Sequence, residues 1–133
     1  MSLLELQPLG LEELASRYYR RLRYTVRRQV ELEGRSGRRH RFDLLLSDSR
    51  RSRVAWVKDW NRSVGINMAI ALDIAANDVK LLGPIMIARE FSDDVKSYAR
   101  RRGLTLLTRR EILTALSLDH RGPSDTLLKQ TTV

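Results

Sequence analysis

The 133-residue sequence contains no cysteine, which excludes a disulfide framework and any metal site built from thiolates. Its two histidines, His40 and His120, lie far apart along the chain, and a histidine-based zinc site is therefore not expected. No run of about 18 apolar residues is present, so no segment is expected to span a membrane. Residues 1–14 lack the basic and apolar regions of a secretory signal. These absences predict a soluble, cytoplasmic protein with no membrane partner.

The length and hydrophobic content of the chain predict one domain. A hydrophobic fraction of 42% in 133 residues is enough to build a core without covalent staples. We expect the domain to occupy residues 1–118. Residues 119–133 show no apolar periodicity, and we predict that they form a flexible carboxyl-terminal tail.

Positive charge is concentrated in one third of the chain. Between Arg17 and Arg62 the sequence carries 15 basic and five acidic residues, a net charge of +10, whereas the remaining residues carry 10 basic and 11 acidic groups. Arginine outnumbers lysine by 21 to four, and guanidinium groups match the oxygens of phosphate. A one-sided basic surface predicts a polyanionic partner, most often nucleic acid, and DNA is the partner expected here; a solubilising surface is the alternative. The arginines predicted to contact it are Arg20, Arg21, Arg27, Arg28, Arg35, Arg38, Arg39, Arg41 and Arg62.

Periodicity predicts an α/β fold. Apolar residues recur at helical spacing from Leu11 to Leu22, and three segments rich in β-formers follow, the first two joined by the glycine-containing turn EGRSGRR. The apolar segment 65–83 predicts a largely buried helix. Strand, helix, strand and helix patterns complete the chain. The order α-β-β-β-α-β-α-β-α predicts a mixed central sheet of about five strands flanked by helices.

Two acids and a lysine suggest chemistry on phosphodiesters. Asp43 lies among apolar residues in the second strand, Lys58 ends the third strand, and Glu12 lies near the start of the first helix. Cleavage assisted by Mg²⁺ requires oxygen ligands and a means of activating water. Ordinary surface positions remain alternatives: an exposed hairpin acid for Asp43, a solvated strand end for Lys58, and a first-turn helix acid for Glu12, next to an equally available Glu13.

These residues resemble the PD-(D/E)xK nuclease superfamily, most closely the archaeal Holliday-junction resolvases and Mrr-type restriction endonucleases. The resemblance spans roughly residues 10 to 113, in the segments GLEELASRYYRRLRYTV, GRRHRFDLLL, VAWVK and GPIMIAREFSDDVKSYARRRGLTLLTRREIL. It implies a restriction-endonuclease-like core, Glu12 as the helix acid, Asp43 as the metal-binding aspartate and Lys58 as the lysine that orients water. It also implies Mg²⁺, with Mn²⁺ as a substitute, and a homodimer to which Met68 and Ile70 could contribute.

One position departs from the family motif. Two residues before the lysine, where the motif has an acid or glutamine, this chain has Trp56. Core packing would explain an indole there, as would stacking on a nucleobase. Asp59 is predicted as the replacement metal ligand if a strand end or bulge turns it toward Asp43, and Asp73 on the following helix is the alternative.

Two functions are consistent with the sequence. The first is a Mg²⁺-dependent endonuclease acting on branched or modified DNA in repair or recombination. The second is a catalytically degenerate protein of the same fold that binds DNA or recruits other factors. The basic segment fits both functions, while Trp56 favours the second. A protein-interaction module, the third class, would leave the basic segment unexplained.

Overall fold

The structure is a computed structural model that describes residues 1–118, and the tail predicted at 119–133 lies outside the described residues. The elements are α1 (Leu3–Leu6), α2 (Leu11–Arg21), β1 (Thr25–Glu33), β2 (Arg39–Ser47), β3 (Ser52–Lys58), α3 (Ile66–Asp78), β4 (Ile85–Ala88), α4 (Asp93–Arg102), β5 (Thr105–Thr108) and α5 (Arg109–Leu118). The predicted element order is confirmed, and α1 is an additional short helix. None of the helices within residues 1–118 has the length and apolar character that a membrane-spanning helix requires.

The five strands form one mixed sheet in the order β1-β2-β3-β4-β5. The first three strands pair antiparallel, and β3, β4 and β5 pair parallel through helical crossovers. Helices α1, α2 and α5 pack on one face and form the first core, whereas α3 and α4 pack on the other face and form the second core. This arrangement confirms the predicted α/β class with a mixed sheet flanked by helices.

Local sequence signals explain where the late helices begin and end. The Ser92 hydroxyl accepts from the Val95 backbone N–H at the start of α4, and Gly103 ends that helix with a φ of 77°. At α5, the Glu111 N–H donates to Thr108 Oγ1, and Glu111 Oε1 accepts from the Thr108 N–H at 2.8 Å. Each cap satisfies backbone groups that have no partner inside the helix.

Helix α3 is less completely buried than its composition predicts. Its buried residues include Ala69 and Leu72, whereas the Ile74 residue is 62% exposed. Because the sheet covers only one side of the helix, the apolar residues on the other side remain accessible. Met68 and Ile70 are half-buried, and the homodimer to which they could contribute stays a prediction.

Halfway along the β1–β2 hairpin, its apolar side chains change from one face of the sheet to the other. Pairing keeps one register from Thr25 opposite Ser47 to Glu33 opposite Arg39, but the rung between Gln29 and Asp43 is absent. Gln29 has a left-handed backbone with a φ of 52°. Residues on the turn side of this break belong to the second core (Val30, Phe42), and residues on the other side belong to the first core (Leu44, Leu46). In a regular strand such residues would share one face.

The hairpin tip is fastened to the end of α3 by one carboxylate. Asp78 accepts hydrogen bonds from the Ser36 N–H at 3.0 Å, the Ser36 hydroxyl at 2.6 Å and His40 Nε2 at 2.7 Å. Donation from the Ser36 hydroxyl, followed by that from His40, lowers the pKa of Asp78 to about 2. The Asp78 carbonyl also accepts from the Arg35 N–H. The backbone of the arginine-rich tip is therefore fixed relative to the sheet.

Gly34 permits this contact because a side chain there would overlap the Asp78 carboxylate. We predict that Gly34→Ala destabilises the fold by about 1 to 3 kcal/mol, the usual cost of overpacking. The comparison variant is Gly10→Ala, in which a Cβ would meet no atom within 4 Å and only the N-cap of α2 is altered. The measurement is the urea midpoint at unchanged m. A midpoint of Gly34→Ala equal to that of the wild type would contradict the close approach.

Candidate functional site

Glu12 and Asp43 are brought together by the side chain of Gln29. Glu12 lies in the first turn of α2, where the helix dipole favours an acid. Gln29 Nε2 lies 2.9 Å from Glu12 Oε1 and 3.1 Å from Asp43 Oδ1. Because ionised carboxylates only accept hydrogen bonds, the amide nitrogen must be the atom that faces them. The structure therefore joins two of the three predicted catalytic residues through a residue that the sequence did not single out.

The second oxygen of each carboxylate also has a protein donor. Glu12 Oε2 accepts from Arg28 Nε at 2.8 Å, and Asp43 Oδ2 accepts from the Val57 N–H at 2.7 Å. Arg28 also reaches Glu13 Oε1 at 2.9 Å. The two glutamates raise the pKa of the Arg28 guanidinium, while Arg17 and then Arg28 lower the pKa of Glu13. All four oxygens of the Glu12–Asp43 pair are thus hydrogen-bonded within the protein.

Asp43 lies where β2 and β3 separate. The ladder between these strands begins at Ser47 opposite Ser52 and ends at Leu44 opposite Ala55. Beyond that point, β3 donates two hydrogen bonds to β2, from the Val57 N–H to the Asp43 carboxylate and from the Trp56 indole N–H to the Arg41 carbonyl at 2.9 Å. A carboxylate at this position satisfies a backbone donor that the ladder leaves unpaired.

Lys58 lies against two indole rings. Its Nζ is 5.1 Å from the Trp56 ring centroid and 5.7 Å from that of Trp60, and Arg62 Cζ lies 4.1 Å from the Trp60 centroid. Attraction between a cation and the negative face of an aromatic ring stabilises such pairs. Trp56 packs against Phe42 and the second core, which supports the core-packing explanation for the indole in the motif position.

The acids considered as replacement ligands have partners of their own. Asp59 Oδ1 pairs with Arg89 Nε at 2.7 Å, and Arg89 also donates to Asn61 Oδ1. Asp73 Oδ2 accepts from the Tyr98 hydroxyl at 2.8 Å and from Arg102 Nε at 3.0 Å. Within residues 1–118, no group of three or more His, Asp and Glu residues is arranged to hold a metal ion.

The oxygen chemistry of Glu12 and Asp43 suits Mg²⁺. Only two carboxylates meet here, and the Gln29 amide lies between one oxygen of each, so a cation that bridges those two oxygens would have to replace the amide. The Mg²⁺ or Mn²⁺ cofactor therefore stays a prediction, and so does the assignment of Asp59 as a ligand.

The nine arginines predicted to bind DNA fall into two groups. Arg28 pairs with Glu12 and Glu13, Arg39 and Arg41 lie 3.4 and 3.9 Å from Glu31, and Arg62 stacks on Trp60. Arg21 Nη1 donates to the Leu116 carbonyl. Four exposed guanidinium groups have no hydrogen-bond or ion-pair partner among residues 1–118, namely those of Arg20, Arg27, Arg35 and Arg38.

Gln29 and Arg89 are the contributors that sequence reasoning missed. Arg89 lies 30 residues from its partner Asp59, so no local pattern connects them. Gln29 follows Arg28 in a strand whose apolar residues fall on even numbers, and this alternation predicts that Gln29 points away from the helix. The left-handed turn at Gln29 overrides that pattern, and no Gly, Asn or Asp marks it in the sequence.

No protein-family model matches the chain, and no curated protein matches it either. Similarity to solved structures is found at the level of the fold. A protein of unknown function designated AF1548 matches with a TM-score of 0.68 and 16% identity over 91% of this chain. Protein VC1899 from Vibrio cholerae matches with a TM-score of 0.60 and 13% identity, also over 91% of this chain.

A third structural relative is Can2 from Sulfobacillus thermosulfidooxidans, solved in complex with cyclic tetra-adenylate, with a TM-score of 0.53 and 10% identity over 76% of this chain. The chain spans 65% of the AF1548 chain and 32% of each of the other two. At these identities the likeness establishes a shared fold, and the chain is therefore similar to one portion of each of these larger proteins.

Proposed function

We propose that this chain binds nucleic acid, with DNA as the principal ligand, on a nuclease-like scaffold and without a requirement for a metal ion. The observation that carries the proposal is the set of four exposed arginines whose guanidinium groups have no partner within residues 1–118. They belong to a segment with a net charge of +10. A guanidinium without a carboxylate partner can bind phosphate oxygens without first giving up an ion pair.

The position of these arginines supports a polyanionic ligand. Arg35 and Arg38 lie in the hairpin tip whose backbone is fastened to Asp78, and Arg27 lies on β1, which forms an edge of the sheet. Arg20 is exposed in the last turn of α2. Paired arginines such as Arg28 would have to lose a carboxylate contact before they could neutralise a phosphate. The unpaired arginines are therefore expected to provide most of the attraction.

The arrangement around the motif favours binding without cleavage. Trp56 replaces the motif acid, and Asp59 pairs with Arg89. Glu12 is engaged by both Arg28 and Gln29. A hydrolytic site would need a carboxylate at position 56 and carboxylates on Asp59 or Glu12 that are free to bind a metal ion. Here the first is absent and the other two are paired with protein donors. The chemistry that we propose for the ligand, phosphodiester oxygens and nucleobases, is also that of cyclic tetra-adenylate, the molecule with which the similar protein Can2 was solved.

The test of binding is the dependence of affinity on salt. We expect the wild-type chain to bind duplex and four-way-junction DNA with a logarithmic salt slope of roughly −0.9 per phosphate neutralised. The double variant Arg35→Ala/Arg38→Ala should flatten that slope by roughly 2. Fluorescence anisotropy over a range of salt concentrations provides the measurement.

The matched control is Arg101→Ala/Arg110→Ala, which removes the same charge from exposed positions outside the basic segment. We expect the control to keep the wild-type slope. A wild-type affinity that does not change with salt would refute electrostatic binding of nucleic acid. An equal loss in both double variants would refute the assignment to the hairpin tip.

A second candidate function is a Mg²⁺-dependent endonuclease on branched or modified DNA, favoured by the proximity of Glu12 and Asp43 at Gln29. Asp43, with Glu12 or Asp59, would hold the ion, which supplies Lewis-acid chemistry at a phosphodiester when bound. Lys58 would orient the attacking water in this candidate.

Cleavage assays separate the two functions. We expect wild-type protein with Mg²⁺ or Mn²⁺ to leave plasmid and four-way-junction DNA uncut, because the Gln29 amide lies between Glu12 and Asp43 and Trp56 replaces the motif acid. Asp43→Ala should keep DNA affinity in EDTA, since the unpaired arginines are unchanged. Cleavage by the wild type that is lost in both Asp43→Ala and Lys58→Ala would establish the second candidate instead.

A further inference from the structure

The carboxamide of Gln29 lies between the carboxylates of Glu12 and Asp43, a position where a positively charged group would be expected. Two carboxylates that share a site repel each other, and proteins normally separate them with a cation, a proton or a basic side chain. Here Gln29 Nε2 lies within hydrogen-bond distance of one oxygen from each acid. An amide NH₂ has two hydrogens, so a single neutral group can donate one hydrogen bond to each carboxylate.

The outer oxygens of Glu12 and Asp43 also have donors from the protein, so no ion is needed to hold the two acids together. Arg28 supplies a full positive charge to the outer oxygen of Glu12, and the Val57 N–H holds the other oxygen of Asp43. With Gln29 between the two inner oxygens, each of the four carboxylate oxygens has a protein donor. A divalent cation that bridges Glu12 Oε1 and Asp43 Oδ1 has to displace the amide first.

The backbone explains how Gln29 reaches this position. Its φ of 52° is in the left-handed region, which is unfavourable for a residue that has a Cβ. The missing rung opposite Asp43 frees both residues from the ladder, so that the Gln29 side chain turns toward α2. Arg28 and Gln29, although adjacent, consequently both contact acids on α2. A strained backbone persists only where the surrounding structure enforces it, so the conformation of Gln29 is imposed by the packing of the hairpin.

We propose that Gln29 is an internal substitute for a cation, which holds Glu12 and Asp43 together and excludes divalent ions from the pair. Gln29 thereby determines whether the Glu12–Asp43 pair binds a divalent ion. The inference is independent of nucleic-acid binding, because it concerns only the carboxylate pair and its donors.

The test is Mn²⁺ binding by a variant that loses the carboxamide. Gln29→Gly removes the amide and adopts a positive φ without strain, so the fold should be retained. Removal leaves two neighbouring carboxylates with an open position between them. We expect Gln29→Gly to bind Mn²⁺ at least tenfold more tightly than the wild type in calorimetric titration, and to show a melting temperature that rises with Mn²⁺ concentration.

Two controls isolate the effect. Lys80→Gly makes the same backbone change at an exposed residue with a φ of 62°, and it should respond to Mn²⁺ as the wild type does. The double variant Gln29→Gly/Asp43→Asn removes one carboxylate and should lose the gained affinity. Gln29→Asn, which keeps an amide on a shorter side chain that cannot span both acids, should behave as Gln29→Gly does and provides a second folded variant.

The proposal would be overturned if the wild type and Gln29→Gly bound Mn²⁺ with equal affinity, or if neither protein bound it. It would also be overturned if Gln29→Gly/Asp43→Asn bound Mn²⁺ as tightly as Gln29→Gly does. DNA affinity measured in EDTA separates this proposal from the function proposed above. Gln29→Gly leaves the unpaired arginines in place and should bind DNA as the wild type does, so a failure of DNA binding in the wild type leaves the Mn²⁺ result interpretable.

Discussion

The β1–β2 ladder is interrupted at Gln29 and Asp43, and this interruption allows one hairpin to contribute side chains to both cores. One hairpin has to line two cores on opposite faces of the sheet, and strict alternation of side chains would direct half of its apolar residues into solvent. The left-handed turn at Gln29 exchanges the faces, so that Leu44 packs under α2 while Phe42 packs with α3 and α4. Loss of the exchange would therefore disturb both layers of the domain.

The same break brings polar groups together at the point where β2 and β3 separate. Backbone donors that the ladder leaves unpaired are satisfied by side chains, as for Val57 and Asp43, and a side-chain donor reaches a free carbonyl, as for Trp56 and Arg41. Carboxylates are well suited to this position because each oxygen accepts more than one hydrogen bond. The Asp43 carboxylate therefore joins β2 to β3 at the point where their ladder ends.

Much of the fold could be predicted from the sequence because its signals are local. Ser92, Gly103 and the Thr108–Glu111 pair mark helix ends within a few residues of the groups that they satisfy. Apolar periodicity gave the element order, and the confirmed mixed sheet follows from that order. Helix α3 was predicted less accurately, because an almost uniformly apolar segment does not reveal which side faces the sheet.

The site was predictable only in part, since its contacts join distant segments. The proximity of Glu12 and Asp43 was implied by the family resemblance, whereas the partners of Asp59 and Lys58 depend on how three segments meet in space. The role of Gln29 was unpredictable because its backbone conformation results from tertiary packing: one hairpin contributes side chains to two cores on opposite faces of the sheet. Residues with a high intrinsic preference for a left-handed backbone would have revealed it, and glutamine has none.

The attachment of the hairpin tip to Asp78 has a consequence for the entropy of association. A flexible basic loop loses backbone freedom when it binds, and that loss, of roughly 1 to 2 kcal/mol per residue, opposes complex formation. Here Ser36 and His40 hold the tip through Asp78 before any ligand arrives. Only the side chains of Arg35 and Arg38 remain to be ordered, so most of the attraction between their guanidinium groups and a polyanion is retained as affinity.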